Sequence, residues 1–273
     1  MTREFAWRWM RFLWLAVGML FVCFPLYWMA VTALTPRTEL FRPPYDVIRF
    51  SYSLENIREL LSATQFLTFM GNSLIVALGT VVINVMASTL AGYALSRFEF
   101  RGKKTFVAAT LWTYMFPPIL LAIPLYLVFS YIGLRNSYGG LILAHVSISL
   151  PLNVWIMWQY FQVVPRSLEE AAWTSGASRL RALIEVLLPS ALPGIISAAI
   201  FSFALSWNDF AFAFILQTDI AMFTLPVGLA TFVEQSAIHW GLIMASSLIV
   251  SLPTFALVFF LQRYLMHGFS IGK

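Results

Sequence analysis

Asp209 is the most unusual of the few residues that could carry chemistry beside the long apolar segments of this chain. It follows Trp207 and Asn208 at the end of an uncharged stretch over residues 186–208. An aspartate at the centre of a membrane helix costs about 2.5 to 3.5 kcal/mol, so Asp209 is expected to lie off centre or to be paired. The three side chains together could hydrogen-bond and stack on a polar solute whose ring has an apolar face. The alternative is that Asp209 fixes its helix to a neighbouring helix or subunit.

A pair of prolines marks a second candidate position for a polar solute. Pro117 and Pro118 lie about 12 residues into an apolar segment, hence roughly 18 Å deep and near the middle of a bilayer. They remove the amide partners of the Thr113 and Tyr114 carbonyls. Such a break either lines a substrate cavity or is a kink that neighbouring helices repair. Weaker candidates, which could equally be hydrogen-bonding ties between helices, are the polar residues Asn84, His145, Asn153 and Gln159.

The sequence has no arrangement of residues that is typical of hydrolytic, redox or metal chemistry. No nucleophile is paired with a base on one face, and no carboxylates or histidines stand at metal-ligand spacing. The single cysteine, Cys23, lies in an apolar segment and has no intramolecular disulfide partner. Gly102-Lys103 is followed by Lys104 and lacks the preceding glycine of a phosphate-binding loop. We therefore predict neither a catalytic residue, nor a metal site, nor an ATP site in this chain.

The polar segment 165–189 predicts two short helices separated by a glycine. Ser167 followed by Glu170 has the spacing of a capping box, so a helix is expected to begin at Ser167 and to end at Gly176. Ser178 then begins a second helix whose apolar residues recur at helical spacing, namely Leu180, Leu183, Ile184, Leu187 and Leu188. This pattern is typical either of a surface that a partner binds or of a helix pair that lies on the bilayer.

The elements that must position these residues are membrane helices. Only 29 of the 273 residues are charged, since the chain has 17 basic and 12 acidic residues, and the mean hydropathy is +0.81. A soluble globular protein is excluded, and the alternation that a membrane β-barrel needs is absent. Six windows without charge exceed the ~20 residues that cross a bilayer as a helix. We predict an all-α integral membrane protein with a single domain over residues 1–273 and six spans at approximately 12–34, 69–95, 105–130, 140–163, 191–216 and 241–262.

The distribution of basic residues predicts the orientation of these spans. If the N-terminus is cytoplasmic, the inner segments contain 12 of the 17 lysines and arginines. Both termini and the 165–189 loop, between the fourth and fifth spans, are then expected in the cytoplasm. The net charge of +5 is explained by this topology, and we predict no nucleic-acid partner.

Two segments outside the spans have a recognisable pattern. In the first outer loop, which contains Pro43-Pro44, Ser53 is expected to cap a short amphipathic helix. Its apolar face would comprise Leu54, Ile57, Leu60 and Leu61. The uncharged stretch 220–233 is too short to cross a bilayer and is expected to form an outer loop or a re-entrant turn.

The order of residues in the 165–189 loop resembles the signature loop of the membrane subunits of ATP-binding-cassette importers. Glu170-Ala171-Ala172 is followed after three residues by Gly176, and after nine more by Val186-Leu187-Leu188-Pro189. Only Val186 differs from the family pattern, where an isoleucine stands. The likeness is closest to the second permease of maltose-type carbohydrate importers, because similar segments recur in order at Asn72–Leu74, Ala91–Phe98, Phe100–Lys103, Trp207–Phe210, Leu225–Leu229, His239–Gly241 and Gln262–Tyr264.

This resemblance implies a permease subunit that forms a sugar path together with a second permease. Two copies of a cytoplasmic subunit would bind ATP and Mg²⁺, and an extracytoplasmic protein would deliver the solute at the inner membrane of a prokaryote. Pro165 and Pro189 would end the flanking spans. Contact with the ATPase is implied for Glu169, Glu170, Ala171, Ala172, Trp173, Gly176, Leu188 and Pro189. The candidate residues of the substrate path are Pro117, Pro118, Asn153, Trp207, Asn208 and Asp209.

The alternative function is an autonomous secondary carrier for a small polar solute. A proton-coupled carrier needs titratable groups inside its spans, and only Asp209 and His145 qualify.

Overall fold

A computed structural model describes residues 2–40, 52–234 and 239–269 of the chain. Every regular element in these ranges is a helix, which confirms the predicted all-α class. The helices are α1 (Thr2–Leu34), α2 (Glu55–Ala63), α3 (Phe66–Arg97), α4 (Lys103–Tyr114), α5 (Ile119–Tyr131), α6 (Tyr138–Val163), α7 (Arg166–Thr174), α8 (Arg179–Ala182), a π-helix (Leu183–Leu187), α9 (Leu188–Ser190), α10 (Leu192–Asn208), α11 (Ala211–Leu216), a 3₁₀ turn (Ile220–Met222), α12 (Leu225–Glu234) and α13 (Trp240–Phe269).

Four helices in the described part of the chain are long and apolar enough to cross a membrane. They contain Trp7–Leu34, Phe66–Arg97, Tyr138–Val163 and Trp240–Leu257, and they match the first, second, fourth and sixth predicted spans. Two bent pairs of helices raise the count to six if each pair is taken as one span. The protein is therefore a helical membrane protein with four to six candidate spans.

The third and fifth predicted spans are not continuous helices. In the third, α4 and α5 meet at 98° across a break that contains Pro117 and Pro118, which lack the amide donors of a helix. In the fifth, the run Arg179–Ser190 meets α10 at 77°. The predicted end of this span at residue 216 is wrong, because α10 ends at Asn208. Asp209 is extended there, and its carboxylate accepts the Ala213 N–H at 3.0 Å to begin α11.

The chain divides into two compact units. One comprises Met1–Leu67 and Leu229–Pro253, and the other comprises Thr68–Gly228 and Thr254–Lys273. The interpretation of residues 1–273 as a single permease domain stays a prediction. Parts of the first outer loop, including Pro43-Pro44, and the last residues 270–273 lie outside the described residues.

In the first unit, a buried asparagine fixes α2 against the end of α1. The Asn56 amide donates to the carbonyl oxygens of Ala33 and Thr35, both at 2.9 Å. Ser53 Oγ accepts the Glu55 N–H at 3.1 Å, but the N-cap residue of α2 is Leu54, so the predicted cap at Ser53 is wrong by one residue. The predicted apolar face is wrong in part: Asn56 and Leu60 are buried, whereas Leu54 and Leu61 are exposed. The reason is that the Asn56 amide must lie inward to satisfy carbonyls that the end of α1 leaves unpaired.

In the second unit, α6 lies at the centre and small residues bring its neighbours close. A Cβ on Gly92 of α3 would lie 2.7 Å from Met157 Cβ, and one on Gly194 of α10 would lie 2.5 Å from Tyr160 Cγ. Close approach at small residues is the usual way in which membrane helices pack. The core beside α6 contains buried residues such as Met157, Phe161, Leu187 and Ala198.

The segment after α11 is tied back to α3. The Asn72 amide donates to the carbonyls of Ala221 and Phe223, each at 2.8 Å, and its oxygen accepts the Tyr138 hydroxyl at 2.7 Å. The ten residues of α12 span only about 15 Å, which confirms that this segment is too short to cross a bilayer.

Candidate functional site

The polar loop after α6 begins at a proline. The α6 helix ends at Val163, Pro165 is extended at the N-cap of α7, and no side chain caps this helix. The predicted start at Ser167 through a capping box is therefore wrong, since α7 already begins at Arg166. Proline at this position disfavours a helical conformation at Val164, the residue before it, so α6 ends there.

The end of α7 and the start of the next helix lie where the sequence predicts them. Gly176 has a φ of 88°, and the Ala177 N–H donates to the Ala172 carbonyl at 3.0 Å. The Gly176 N–H donates to the Trp173 carbonyl at 2.9 Å, which completes a Schellman motif. Ser178 then accepts the Arg181 N–H at 3.3 Å and begins α8. Gly176 and Ser178 are confirmed as the stop and start signals.

The second half of the loop contains a π-helix, which the sequence did not predict. It occupies Leu183–Leu187, directly before the short helix α9 that contains Pro189. Pro189 is expected from the sequence to end the helix, but the structure differs: the helical run continues to Ser190 and bends at Ala191. Because Pro189 has no N–H, the carbonyl one turn earlier loses its usual partner, and a widened turn accommodates that loss.

Glu169 is the only buried residue of α7, and it contacts the end of α3. Its side chain is 2% exposed and forms an ion pair with the Arg97 guanidinium through Nε. The Tyr93 hydroxyl donates to the other carboxylate oxygen at 3.3 Å. Arg97 also donates through Nη1 to the Phe161 carbonyl at 2.9 Å and through Nη2 to the Val164 carbonyl at 3.0 Å. One guanidinium therefore joins the ends of α3 and α6 to α7.

The opposite face of α7 is exposed. Leu168, Glu170, Ala171 and Trp173 are open to the surroundings, and Ala172 is half-buried. The Arg179 guanidinium lies 5.9 Å from the centre of the Trp173 ring. A cleft of about 230 Å³ lies beside this face and is lined by Tyr93, Arg97, Phe98, Arg166, Glu169, Glu170, Trp173 and Arg179.

The structure separates the residues for which the sequence implies contact with an ATPase. Glu170 and Ala171 are exposed, whereas Glu169 is buried against α3. Trp173 lies one turn after Glu169 on the same side of α7, where it is exposed and lines the cleft. Leu188 is half-buried beside the cluster that contains Leu187, and Pro189 is exposed. The signature sequence thus contains exposed residues and one internally paired carboxylate on the same short helix.

A second polar site runs along one face of α6. His145, Ser149 and Asn153 recur every four residues and are fully buried. Each is within hydrogen-bonding distance of a neighbouring helix: His145 Nδ1 lies 2.8 Å from Ser206 Oγ, the Asn84 amide donates to Ser149 at 2.5 Å, and the Asn153 amide donates to Ser202 at 2.6 Å. We call this row of hydrogen bonds the polar seam. It holds α6 against α3 and α10.

Asp209 extends the polar seam at the end of α10. Its Oδ2 lies 3.2 Å from His145 Nε2, so the aspartate is paired, as its position beside an apolar helix requires. Asn208 is exposed, and its amide donates to the Ala204 carbonyl at 2.7 Å. Trp207 is 1% exposed and stacks on Phe203 with ring centres 5.4 Å apart. In this structure the Trp207 ring has no open face on which a solute could stack.

The two prolines of the broken third span lie on the surface of the described chain. Pro117 and Pro118 are both exposed, as are Met115 and Phe116 before them. They are therefore not among the buried side chains that form the polar seam with Asn153. Among the described residues no group of histidines, cysteines or carboxylates is arranged to hold a metal ion.

Four residues of these two sites are not marked as functional by the sequence: Arg97, Tyr93, Ser202 and Ser206. Arg97 is the last residue of an apolar helix, where a basic residue is ordinary, so nothing local distinguishes it. The two serines are spaced one turn apart on α10, which is a usable signal for a polar face, although it does not identify the partner.

Comparisons with known proteins agree on one family. Residues 83–270 match the model of the binding-protein-dependent transport system inner membrane component. The chain is 34% identical over 261 residues to the trehalose/maltose transport system permease protein MalG of Thermococcus litoralis, covering 94% of this chain and 93% of the relative. It is 32% identical over 260 residues to the trehalose transport system permease protein SugB of Mycobacterium tuberculosis, covering 94% and 93%.

The fold is also similar to a solved structure. A chain from the crystal structure of a bacterial ABC transporter involved in the import of the acidic polysaccharide alginate superposes with a TM-score of 0.84. The match covers 97% of this chain and 98% of the other at 20% sequence identity, so it shows a shared fold.

Proposed function

This chain belongs to the family of binding-protein-dependent transport system inner membrane components, and from that premise we propose that it is the permease through which an ATP-driven importer takes up a sugar. It is a multi-pass inner-membrane protein and a subunit of a transport complex that works with a binding protein. Support for a sugar comes from the relatives, whose names specify trehalose and maltose transport.

The observation that carries this proposal is the exposed face of α7. Glu170 and Ala171 are exposed on it, next to a turn that Gly176 fixes with a φ of 88°. A short helix with small and charged exposed residues suits a groove on a partner protein. We name α7 the coupling helix and propose that it docks on a cytoplasmic ATPase subunit, which would bind ATP and Mg²⁺.

The proposed complex contains two permeases and two ATPase subunits, with both termini of this chain in the cytoplasm. The charge distribution supports the orientation, since 12 of 17 basic residues then lie on the cytoplasmic side. Asn208 and Asp209, at the exposed end of α10, remain the best-placed of the proposed path residues. Asn153 and Trp207 are buried and would act in transport only after α6 and α10 separate.

The test is association of the ATPase with the coupling helix. Glu170→Lys reverses the charge on the exposed face, and Gly176→Pro forces a φ near −65° where the turn requires a positive value. Both variants are expected to insert in the membrane but to lose the ATPase on purification and to abolish uptake. Glu55→Lys, a charge reversal on the exposed start of α2, is the matched control and should retain the ATPase.

Reconstitution separates this function from an autonomous carrier. The complete complex in vesicles should accumulate sugar with ATP, whereas the purified chain alone should be inert. Uphill accumulation by the chain alone would show the proposed function to be wrong. A normal complex with Glu170→Lys would show the proposed docking through the coupling helix to be wrong. The sugar that most stimulates ATP hydrolysis by the complete complex identifies the substrate.

A further inference from the structure

Arg97 connects three elements through one side chain. It forms the ion pair with Glu169 of the coupling helix and donates to the carbonyls of Phe161 and Val164, which end α6. The Phe161 carbonyl belongs to the last turn of α6, and the Val164 carbonyl belongs to the residue that follows the helix, so a cation there also compensates the helix dipole. Arg97 is 8% exposed, so these bonds are shielded from water.

A second arginine makes the reciprocal contact. Arg166, the first residue of the coupling helix, donates through Nη2 to the carbonyl of Ser96 near the end of α3, at 3.3 Å. Arg166 of the coupling helix thus pairs with a carbonyl at the end of α3. In return, Arg97 at the end of α3 pairs with carbonyls at the end of α6 and with Glu169 of the coupling helix. Val164 and Pro165, the extended residues between α6 and the coupling helix, are therefore spanned by side-chain contacts that both helices make with the end of α3.

The other end of the coupling helix has no comparable bridge among the described residues. It leads into Gly176, then into the π-helix Leu183–Leu187, and reaches α10 only through the 77° bend at Ala191. The coupling helix is therefore joined to α3 and α6 by an ion pair and side-chain hydrogen bonds, whereas it is joined to α10 through the intervening chain and the apolar packing of Leu183 and Leu187.

We infer that Arg97 is a positioning residue for transport: it holds the coupling helix, α3 and α6 as one rigid body, so that movement of the ATPase is transmitted to these two membrane helices. The inference rests on the proposed function, because it takes α7 to be the element that the ATPase moves. It assigns to Glu169 an internal role that is distinct from the docking role of its neighbour Glu170.

The experiment uses the complete complex in vesicles and measures three quantities for each variant: ATPase association, ATP hydrolysis, and sugar carried per ATP hydrolysed. Glu169→Gln removes the charge of the pair and keeps its shape. Arg97→Lys keeps the charge, but an ammonium cannot reach Glu169 and two carbonyls in the fixed geometry of a guanidinium. Arg181→Gln removes an exposed arginine that pairs with Glu185 in the same loop, and it is the matched control.

Both variants of the Arg97–Glu169 pair are expected to retain the ATPase and to hydrolyse ATP, while sugar carried per ATP falls about fivefold or more. Arg181→Gln should leave that ratio unchanged. An unchanged ratio in Arg97→Lys and Glu169→Gln would overturn the inference, and so would loss of the ATPase from Glu169→Gln, because Glu169 would then belong to the docking surface. If Glu169→Gln does not fold, Arg97→Lys decides.

The two proposals fail in different ways. Normal ATPase association by Glu170→Lys contradicts docking through the coupling helix, whatever the Arg97 variants do. A normal transport ratio in the Arg97 variants contradicts only the rigid connection.

Discussion

His145 Nε2 lies 3.2 Å from Asp209 Oδ2, so a buried imidazole of α6 pairs with the carboxylate at the end of α10. The same imidazole is 2.8 Å from Ser206 through its other ring nitrogen. Asp209 also accepts the Ala213 N–H and so begins α11. The residue that the sequence marks as a candidate for the substrate path therefore connects three helices.

Loss of the Asp209 charge is expected to weaken this connection. Asp209→Asn keeps an oxygen for the Ala213 N–H but not the charge that faces His145, and we expect a loss of about 1–3 kcal/mol in the free energy of unfolding. His145→Ala should cost a similar amount, and the double variant less than the sum, because both changes remove the same contact. Thermal unfolding in detergent measures all three.

The matched control for Asp209 is Asp219→Asn. Asp219 is exposed and only accepts the Ala221 N–H at 3.0 Å, which an asparagine can also do. The Asp219→Asn variant should have the same unfolding temperature as the parent protein. Strict additivity of Asp209→Asn and His145→Ala would contradict a direct interaction, and unchanged stability with altered sugar uptake would instead place Asp209 in the path.

Gly92→Ala is expected to push α3 away from α6. The added Cβ would lie 2.7 Å from Met157 Cβ and 2.8 Å from the backbone of Met157 and Trp158, where no flexible side chain can yield. Overpacking of this kind costs about 1–3 kcal/mol. Gly71→Ala in the same helix meets nothing within 4 Å and should be neutral or slightly stabilising. Equal unfolding temperatures for the two variants would contradict this close approach.

Asn72→Leu is expected to release the segment after α11 from α3. The change removes the donors for the Ala221 and Phe223 carbonyls and the acceptor for the Tyr138 hydroxyl. Each buried polar group left without a partner costs about 1–3 kcal/mol. Proteolysis near residues 217–224 should accelerate accordingly. Gln159→Leu, at an exposed polar position of α6, should be cleaved no faster than the parent.

Trp207→Ala and Asn208→Ala are expected to differ strongly although they are adjacent. Trp207 is 1% exposed and stacks on Phe203, so truncation should lower the unfolding free energy by about 3–5 kcal/mol. Asn208 is exposed and should change stability little. If Trp207→Ala folds normally and only sugar affinity falls, the ring is a binding surface in a state other than the one described.

The sequence by itself determined the class of protein and the local features of the 165–189 loop. Uncharged windows longer than a bilayer crossing leave a helix as the spanning structure, because backbone groups must be satisfied within the segment. Gly176 and Ser178 stop and start helices through their own conformations and nearby N–H groups, so these two boundaries follow from a few adjacent residues. The residue order of the signature loop was sufficient to indicate the family.

Only the tertiary structure decided which face of each helix is buried and what it meets. Glu169 and Glu170 are adjacent and chemically alike, yet the first is held by Arg97, 72 residues earlier in the chain, and the second is exposed. Asp209 and His145 are 64 residues apart, and neither has a local signal for the other. Local rules extend over about one helical turn, whereas these pairings depend on how whole helices approach at small residues such as Gly92 and Gly194.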